Sequence, residues 1–422
     1  MATHILDDLD WRGAIAHSTD ADALRAALDA GPVTFYCGFD PTHESLHFGN
    51  LVQLVTMRRL QLAGHDPIAV VGGATGLIGD PSGRSVERSL NEAAVVADWV
   101  EKIRVQVERY LDFSGPHAAQ IVNNLDWTAP VSALDLLRDV GKHFSVNRML
   151  DKESVKARLD GPGISFTEFS YQILQAFDYL ELHRRHGCRL QTGGSDQWGN
   201  LTAGVDLIRR VTGETVHALA TPLITKADGT KYGKTEGGTL FLSAAFTSPY
   251  AFYQYFLNQD DADIGTLLRI FSFRSHAEIE ALEAETTQHP EARAAQQSLA
   301  AELTELVHGS VAASQAASAS AALFGRGELG DLDAETLASA VTELPSAEVR
   351  GALPTITDLL VAAGLADSRT AARRTVADGG AYLNNQRVSD PELVPGDGDL
   401  LHGRWLVLRR GKRSLAAIER VS

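Results

Sequence analysis

Hydrophobic and polar positions follow two rhythms along the first half of the chain. Short apolar or β-branched runs at 33–38, 67–72, 119–123 and 188–193 predict strands. Longer stretches at 46–63, 92–111, 166–186 and 197–211 space their apolar residues for helices. Alternation of this kind predicts an α/β fold with a Rossmann-like parallel sheet, whose ligand crevice lies at the carboxyl ends of the strands. From Pro249 to about Leu323 the strand rhythm stops and the pattern is helical throughout. Residues 325–352 are rich in Gly, Asp, Glu and Ala without clear periodicity, and read as a linker. Two short helices (356–363 and 368–378), a Gly-Gly turn and strands at 381–384 and 405–409 follow. The expected plan is a sheet domain over 1–246, a helical domain over 247–324, the linker, and a small α+β domain over 353–422.

Composition narrows the picture. The 422 residues are 44% hydrophobic, enough to bury cores in two or three domains. No uncharged apolar run reaches the roughly 18–20 residues that cross a bilayer, and the acidic start MATHILDDLDW is unlike a secretion signal. Cys37 and Cys188 lie far apart and match no metal-ligand spacing, which fits a reducing cytoplasm. A net charge of −16 argues at first sight against nucleic acid. The tail from Leu353 to Ser422 nevertheless holds ten Lys/Arg against eight Asp/Glu, so a locally basic surface is available for RNA.

Five constellations carry candidate chemistry. Tyr36-Cys37-Gly38-Phe39-Asp40-Pro41-Thr42 leads to Ser45-Leu46-His47-Phe48-Gly49-Asn50, a strand, a turn and a helix start. Free N–H groups at a helix start favour anions; the plain alternative is a helix cap with an incidental histidine. Next comes VGGATGLIGDPSG, with Gly73, Gly76 and Gly79 outside the dinucleotide spacing and Asp80 free to meet an ammonium group. It reads equally as a connecting loop. Tyr171, Gln175 and Asp178 share one helix face, as a pocket wall or a solvated stripe. In QTGGSDQWGN, Gln191, Gly194, Asp196 and Gln197 span a strand-to-helix junction, where Asp196 can hold ribose hydroxyls or simply cap. Lys231, Lys234 and Thr235, in KADGTKYGKT, suit a loop that grips a polyphosphate or a solvated basic turn.

In this order, and on this sheet, the motifs GFDPT, SLHFGN, VGGATGLIGDPSG, GGSDQWGN and KADGTKYGKT resemble class I aminoacyl-tRNA synthetases, and within them the bacterial tyrosyl enzymes. The resemblance covers nearly the whole chain. His47 to Asn50 match the family's His-x-Gly-His signature, and Lys231 to Thr235 its Lys-Met-Ser-Lys-Ser loop. The segment SRTAARRTVADGGAYLNNQRV is similar to the S-four RNA-binding domain that ends many such chains.

What the resemblance implies is specific. Tyrosine would be activated by ATP, accompanied by Mg2+ without a protein-bound metal site, and passed to tRNA(Tyr) by a cytoplasmic homodimer with no membrane association. His47, Lys231, Lys234, Thr235, Thr42 and Arg84 would act at the phosphates. Tyr36 and Asp178 would meet the phenol, and Asp80, Tyr171 and Gln175 the ammonium group, with Gln191 in the same tyrosine site. Cys37, Gly38, Asp40, Gly49, Asn50, Gly194, Asp196, Gln197 and Lys234 would hold ATP. Arg369, Arg373, Arg374 and Arg387 would contact tRNA. Asn50 departs from the signature's final histidine, and Arg84 stands where many members have lysine. A tryptophanyl enzyme and a non-catalytic RNA-binding relative fit the motifs less well, and a dehydrogenase fits the glycine spacing poorly.

Overall fold

The computed structural model describes residues 3–80, 91–151, 153–159, 163–226, 229–230, 232–235, 238–411 and 414–421, with backbone alone at 153, 154, 157, 234 and 235. The chain forms two compact units, Met1–Phe246 with Ala262–Ala281, and Thr247–Asp261 with Leu282–Ser422.

The first unit is built on a six-stranded sheet: β1 (His17–Ser18), β2 (Thr34–Phe39), β3 (Asp66–Val71), β4 (Gln120–Asn123), β5 (Leu190–Gly194) and β6 (His217–Thr221). Their order is β1-β6-β5-β2-β3-β4, all parallel except the edge strand β1. Strands β3 and β6 are buried almost end to end, as parallel strands covered on both faces must be. From β2 the chain runs outward through β3 and β4, then returns to place β5 on the other side of β2. The direction of winding therefore reverses between β2 and β5, the position where such sheets open a crevice.

Two helices bring side chains to that crevice. Helix Phe48–Leu62 is buried on nearly every side, and its start is fixed by a capping box between His47 and Asn50. Helix Phe166–His186 is capped by Ser165 and ends at Gly187, whose φ of 63° is left-handed and suits a residue without a Cβ. Residues 262–281 join this unit because two guanidinium groups hold the end of helix Asp261–Phe271. Arg12 donates to the carbonyls of Arg269, Ser272 and Arg274, and Arg59 to those of Ile270 and Ser272. The boundary expected at 246/247 is thus crossed: the helical stretch divides between the two units.

In the second unit a five-stranded sheet has the order β11-β10-β12-β13-β9, from β9 (Ser346–Arg350), β10 (Ala381–Leu383), β11 (Gln386–Arg387), β12 (Trp405–Arg410) and β13 (Ser414–Val421). Both faces are covered, and the two-residue period of β12 shows how. Leu406 and Leu408 pack with Ile356, Leu359 and Val376 of the two short helices. Trp405 and Val407 pack with Leu323, Leu337 and Val341. Residues 325–352 are therefore no linker. They hold helix Ala334–Thr342 and strand β9, which pairs parallel with β13. Composition concealed both, because the short helix buries only Thr336, Leu337, Ala340 and Val341 and the edge strand alternates exposed and half-buried residues.

Candidate active site

A cavity of about 520 Å³ opens at the carboxyl ends of β2 and β5. Tyr36, Cys37, Gly38, Asp40, Thr42, His47, Gly49 and Asn50 line it from the first motif, and Asp80 from the second. Tyr171, Gln175 and Asp178 come from helix Phe166–His186, and Gln191, Gly194, Asp196 and Gln197 from β5 and the turn after it. Sixteen residues singled out from four separate motifs thus share one cavity. Arg84 and Lys231 lie outside the described residues, and Lys234 and Thr235 are described by backbone alone, in the hairpin β7 (Lys234–Thr235)–β8 (Gly238–Thr239). Arg369, Arg373, Arg374 and Arg387 belong to the second unit, where Arg369 pairs with Asp358 and Arg373 with Glu392, both at 2.5 Å.

One part of the cavity is built around a phenol and a carboxylate. Tyr36 is 1% exposed, its ring lies edge-on to Tyr179 at 5.2 Å, and its hydroxyl has no hydrogen-bond partner. An orphaned buried hydroxyl costs free energy unless a ligand satisfies it. Asp178 accepts from Asn124 Nδ2 at 3.0 Å and from Trp127 Nε1 at 2.8 Å. Burial pushes its carboxyl up to about 7 against the pull of those two donors. Burial, reinforced by the charge of Asp178, also holds the Tyr36 phenol well above its usual range. The amide oxygens of Gln175 and Gln191 are likewise buried without partners.

Around this centre runs a chain of short hydrogen bonds. Asn124 donates to Thr75 Oγ1 at 3.0 Å, and Thr75 donates to Asp40 Oδ1 at 2.6 Å. Tyr171 donates to Asp40 Oδ2, also at 2.6 Å. Asp40 therefore braces the wall through Tyr171, a bond that spacing gave no reason to expect. Asp80 accepts from Gln197 at 2.6 Å, which ties the second motif to the fourth. Asn124 and Trp127 escaped the sequence reading altogether. Their signal was a pair of asparagines at the carboxyl end of a predicted strand, where polar residues point into the crevice.

On the other side of the cavity the backbone comes to the surface. Nδ1 of His47 accepts from the N–H of Gly49 at 3.0 Å, and Oδ1 of Asn50 accepts from the N–H of His47 at 3.0 Å. The replacement of the signature's histidine by Asn50 is thus compatible with helix capping. A Cβ on Gly194 would lie 2.5 Å from Asp196 Oδ1, so only glycine lets that carboxylate fold back over the strand end. Cys37 is buried and its thiol pushed up to about 12, chiefly by burial, so it stays protonated and is no nucleophile.

A family profile described as tRNA synthetases class I (W and Y) matches residues 28–325. The chain belongs to this family. Beyond the class I region, a profile described as the tyrosine--tRNA ligase SYY-like C-terminal domain matches residues 336–418 of this synthetase. Tyrosine--tRNA ligase of Streptomyces avermitilis is 61% identical over 419 residues, covering 99% of each chain. The enzyme of that name from Mycobacterium tuberculosis is 59% identical over 425 residues, covering all of both. Among solved structures, a C-terminally truncated mitochondrial tyrosyl-tRNA synthetase of Aspergillus nidulans superposes with a TM-score of 0.68 at 28% identity. It spans 75% of this synthetase and 92% of its own chain.

Proposed function

We infer that this chain is a tyrosine–tRNA ligase. It activates L-tyrosine with ATP to tyrosyl-adenylate, releasing pyrophosphate, and transfers the tyrosyl group to the 3′ end of tRNA(Tyr). The observation that carries the reading is the unpartnered hydroxyl of Tyr36 in the same cavity as the doubly held carboxylate of Asp178. A tyrosine side chain bound there donates its phenolic proton to Asp178 and accepts from Tyr36. Phenylalanine would leave the Tyr36 hydroxyl without a partner and give Asp178 no donor beyond Asn124 and Trp127, and tryptophan would not present an oxygen to them.

The remaining roles follow the shape of the two substrates. Asp80, Tyr171 and Gln175 take the ammonium group, beside the free amide oxygen of Gln191. Cys37, Gly38, Asp40, Gly49, Asn50, Gly194, Asp196 and Gln197 take the nucleoside of ATP, with the Asp196 carboxylate on its ribose. The tyrosine carboxylate is already ionised when it attacks the α-phosphorus, so the first step needs no general base. Positioning and charge stabilisation carry it. His47 and Thr42 supply this from one edge of the cavity, and Lys231, Lys234, Thr235 and Arg84 add their charge or hydroxyl at the phosphates. Mg2+ enters with ATP as part of the substrate; among the described residues no group of three His, Cys, Asp or Glu side chains offers it a separate site.

In the second step a terminal ribose hydroxyl of tRNA displaces AMP from the mixed anhydride. Arg369, Arg373, Arg374 and Arg387 offer the tRNA backbone their charge, and RNA phosphates exchange there with surface carboxylates such as Asp358 and Glu392. The enzyme works as a cytoplasmic homodimer. Leu134, Leu137, Val146, Leu150, Leu159 and Phe166 expose apolar surface within one stretch of chain, as a subunit contact requires. Among the described residues no helix is long and apolar enough to cross a membrane. ATP–pyrophosphate exchange with each amino acid in turn tests the reading. Exchange that depends on tyrosine alone is expected; exchange driven by tryptophan, or by none, would overturn it.

A further inference from the structure

His43 belongs to none of the constellations above and does not line the cavity, yet it lies between Thr42 and His47 in the loop that borders it. Its ring stacks on Phe241 at 4.4 Å and 25°, meets the edge of Phe246 at 4.8 Å, and faces Trp99 at 6.2 Å. Nδ1 of the same ring accepts from the N–H of Ser45 at 3.2 Å. The two segments joined by this stack are also stitched along their backbones. Ser45 Oγ accepts from the N–H of Ser243 at 3.1 Å, and the carbonyl of Leu46 from Leu242 at 2.8 Å. The carbonyl of Leu240 accepts from Phe48 at 2.9 Å, and His47 bridges Phe241.

The same run reaches the root of the hairpin β7–β8. Leu240 donates to the carbonyl of Gly233 at 2.8 Å. Gly233, with φ of 80°, lies so close to Phe48 that a Cβ there would be 3.1 Å from that ring's own Cβ. The base of the hairpin and the start of the His47 helix are therefore held together. Among the described residues, the backbone–backbone bonds that join them begin at Leu46, next to the side-chain bond of Ser45. Upstream of Ser45, the His43 ring packs the loop bearing Thr42 against Phe241 and Phe246.

We propose that His43 is a positioning residue for the activation step. Its ring, clamped by Phe241 and Phe246, keeps the loop carrying Thr42 and His47 in register with the base of the hairpin, so that groups on both meet the phosphates together. The proposal rests on the ligase reading above. It needs the ring and not a proton, since stacking does the work. Small displacements of positioning groups are costly in rate: about 1 Å of misplacement is worth on the order of a hundredfold.

Two substitutions in the full chain separate ring from acceptor. His43→Phe keeps the ring and loses Nδ1, whereas His43→Asn keeps an acceptor for Ser45 and loses the ring. Pyrophosphate exchange gives kcat, and equilibrium dialysis gives the Kd for tyrosine. His43→Asn should lose about tenfold in kcat at an unchanged tyrosine Kd, with His43→Phe within about threefold of the parent. Parent-like exchange by His43→Asn overturns the proposal. So does a matching loss of tyrosine affinity, which marks general packing, or an equal fall in His43→Phe, which assigns the role to Nδ1. A parent chain without tyrosine-dependent exchange would instead sink the ligase reading, before any variant is compared.

Discussion

Trp127 donates its indole N–H to Oδ1 of Asp178 at 2.8 Å, and this bond fixes the direction in which a buried carboxylate faces its ligand. The other oxygen is held by Asn124, which also donates to Thr75 and accepts from the N–H of Ala74 at 2.7 Å. One carboxamide thus orders the carboxylate, the wall and the turn after β3.

Asn124→Ala removes all three bonds and leaves buried groups unpaired. Each such group costs about 1–3 kcal/mol. We expect the KM for tyrosine in pyrophosphate exchange to rise about tenfold or more, with the KM for ATP changing less. Equal increases in both would show that Asn124 supports the whole cavity and not the phenol end.

Acid should weaken tyrosine binding. The Asp178 carboxyl is raised to about 7, so below that pH it is protonated and no longer a charged acceptor for the phenol. Affinity should fall by up to about tenfold per pH unit below 7 and level off above 8. Stability has the opposite sense. Because the folded value is raised, this group favours the folded chain most below the ordinary carboxylate range, and that contribution is lost as pH rises towards 7. Asp178→Asn should abolish the pH dependence of the tyrosine Kd between 5.5 and 8, measured by dialysis. A parent profile that is already flat would refute the argument.

Phe166 is 74% exposed and Leu134 78%, unusual for side chains of their size. Burying such a side chain is worth about 1.5–3 kcal/mol, and a twofold contact counts it twice. Phe166→Asp should therefore shift the chain from dimer to monomer in sedimentation equilibrium at micromolar concentration. An unaltered dimer would place the contact elsewhere.

Trp405 packs one face of the second sheet against Leu337 and Val341. Its replacement by alanine should cost that unit about 3–5 kcal/mol. Tyrosine charging of tRNA should fall with the fold of this unit, while pyrophosphate exchange in the first unit persists. Loss of both together, followed by circular dichroism and exchange assays, would contradict the separation. The same packing argues against cutting the chain at Leu353, because that cut removes β10 to β13 and bares the helices beneath them.

The sheet and its site were largely legible because parallel strands buried on both faces leave a strong apolar trace. Helix Phe166–His186 is foretold to the residue by its apolar spacing, and the structure shows Ser165 capping its start and Gly187 ending it. Tyr171, Gln175 and Asp178 stand on one face by spacing alone. What escaped was held by long-range bonds that leave no local pattern. Asn124 lies 54 residues from Asp178, and Tyr171 lies 131 from Asp40. Strand β9 was hidden for a related reason. Its residues alternate between half-buried and exposed, and what makes them a strand is β13, a partner far along the chain.

That parallel pairing of β9 with β13 also governs the order in which the second unit is made. A ribosome releases β9 well before its partner exists, so the strand waits with an open edge until β13 has emerged. Any frameshift or premature stop between the two yields a product that keeps the residues of the first unit's cavity but whose second sheet cannot close. Such a fragment would hold the adenylate it makes without passing it on, and its unpaired strand edge would be open to pairing with other chains.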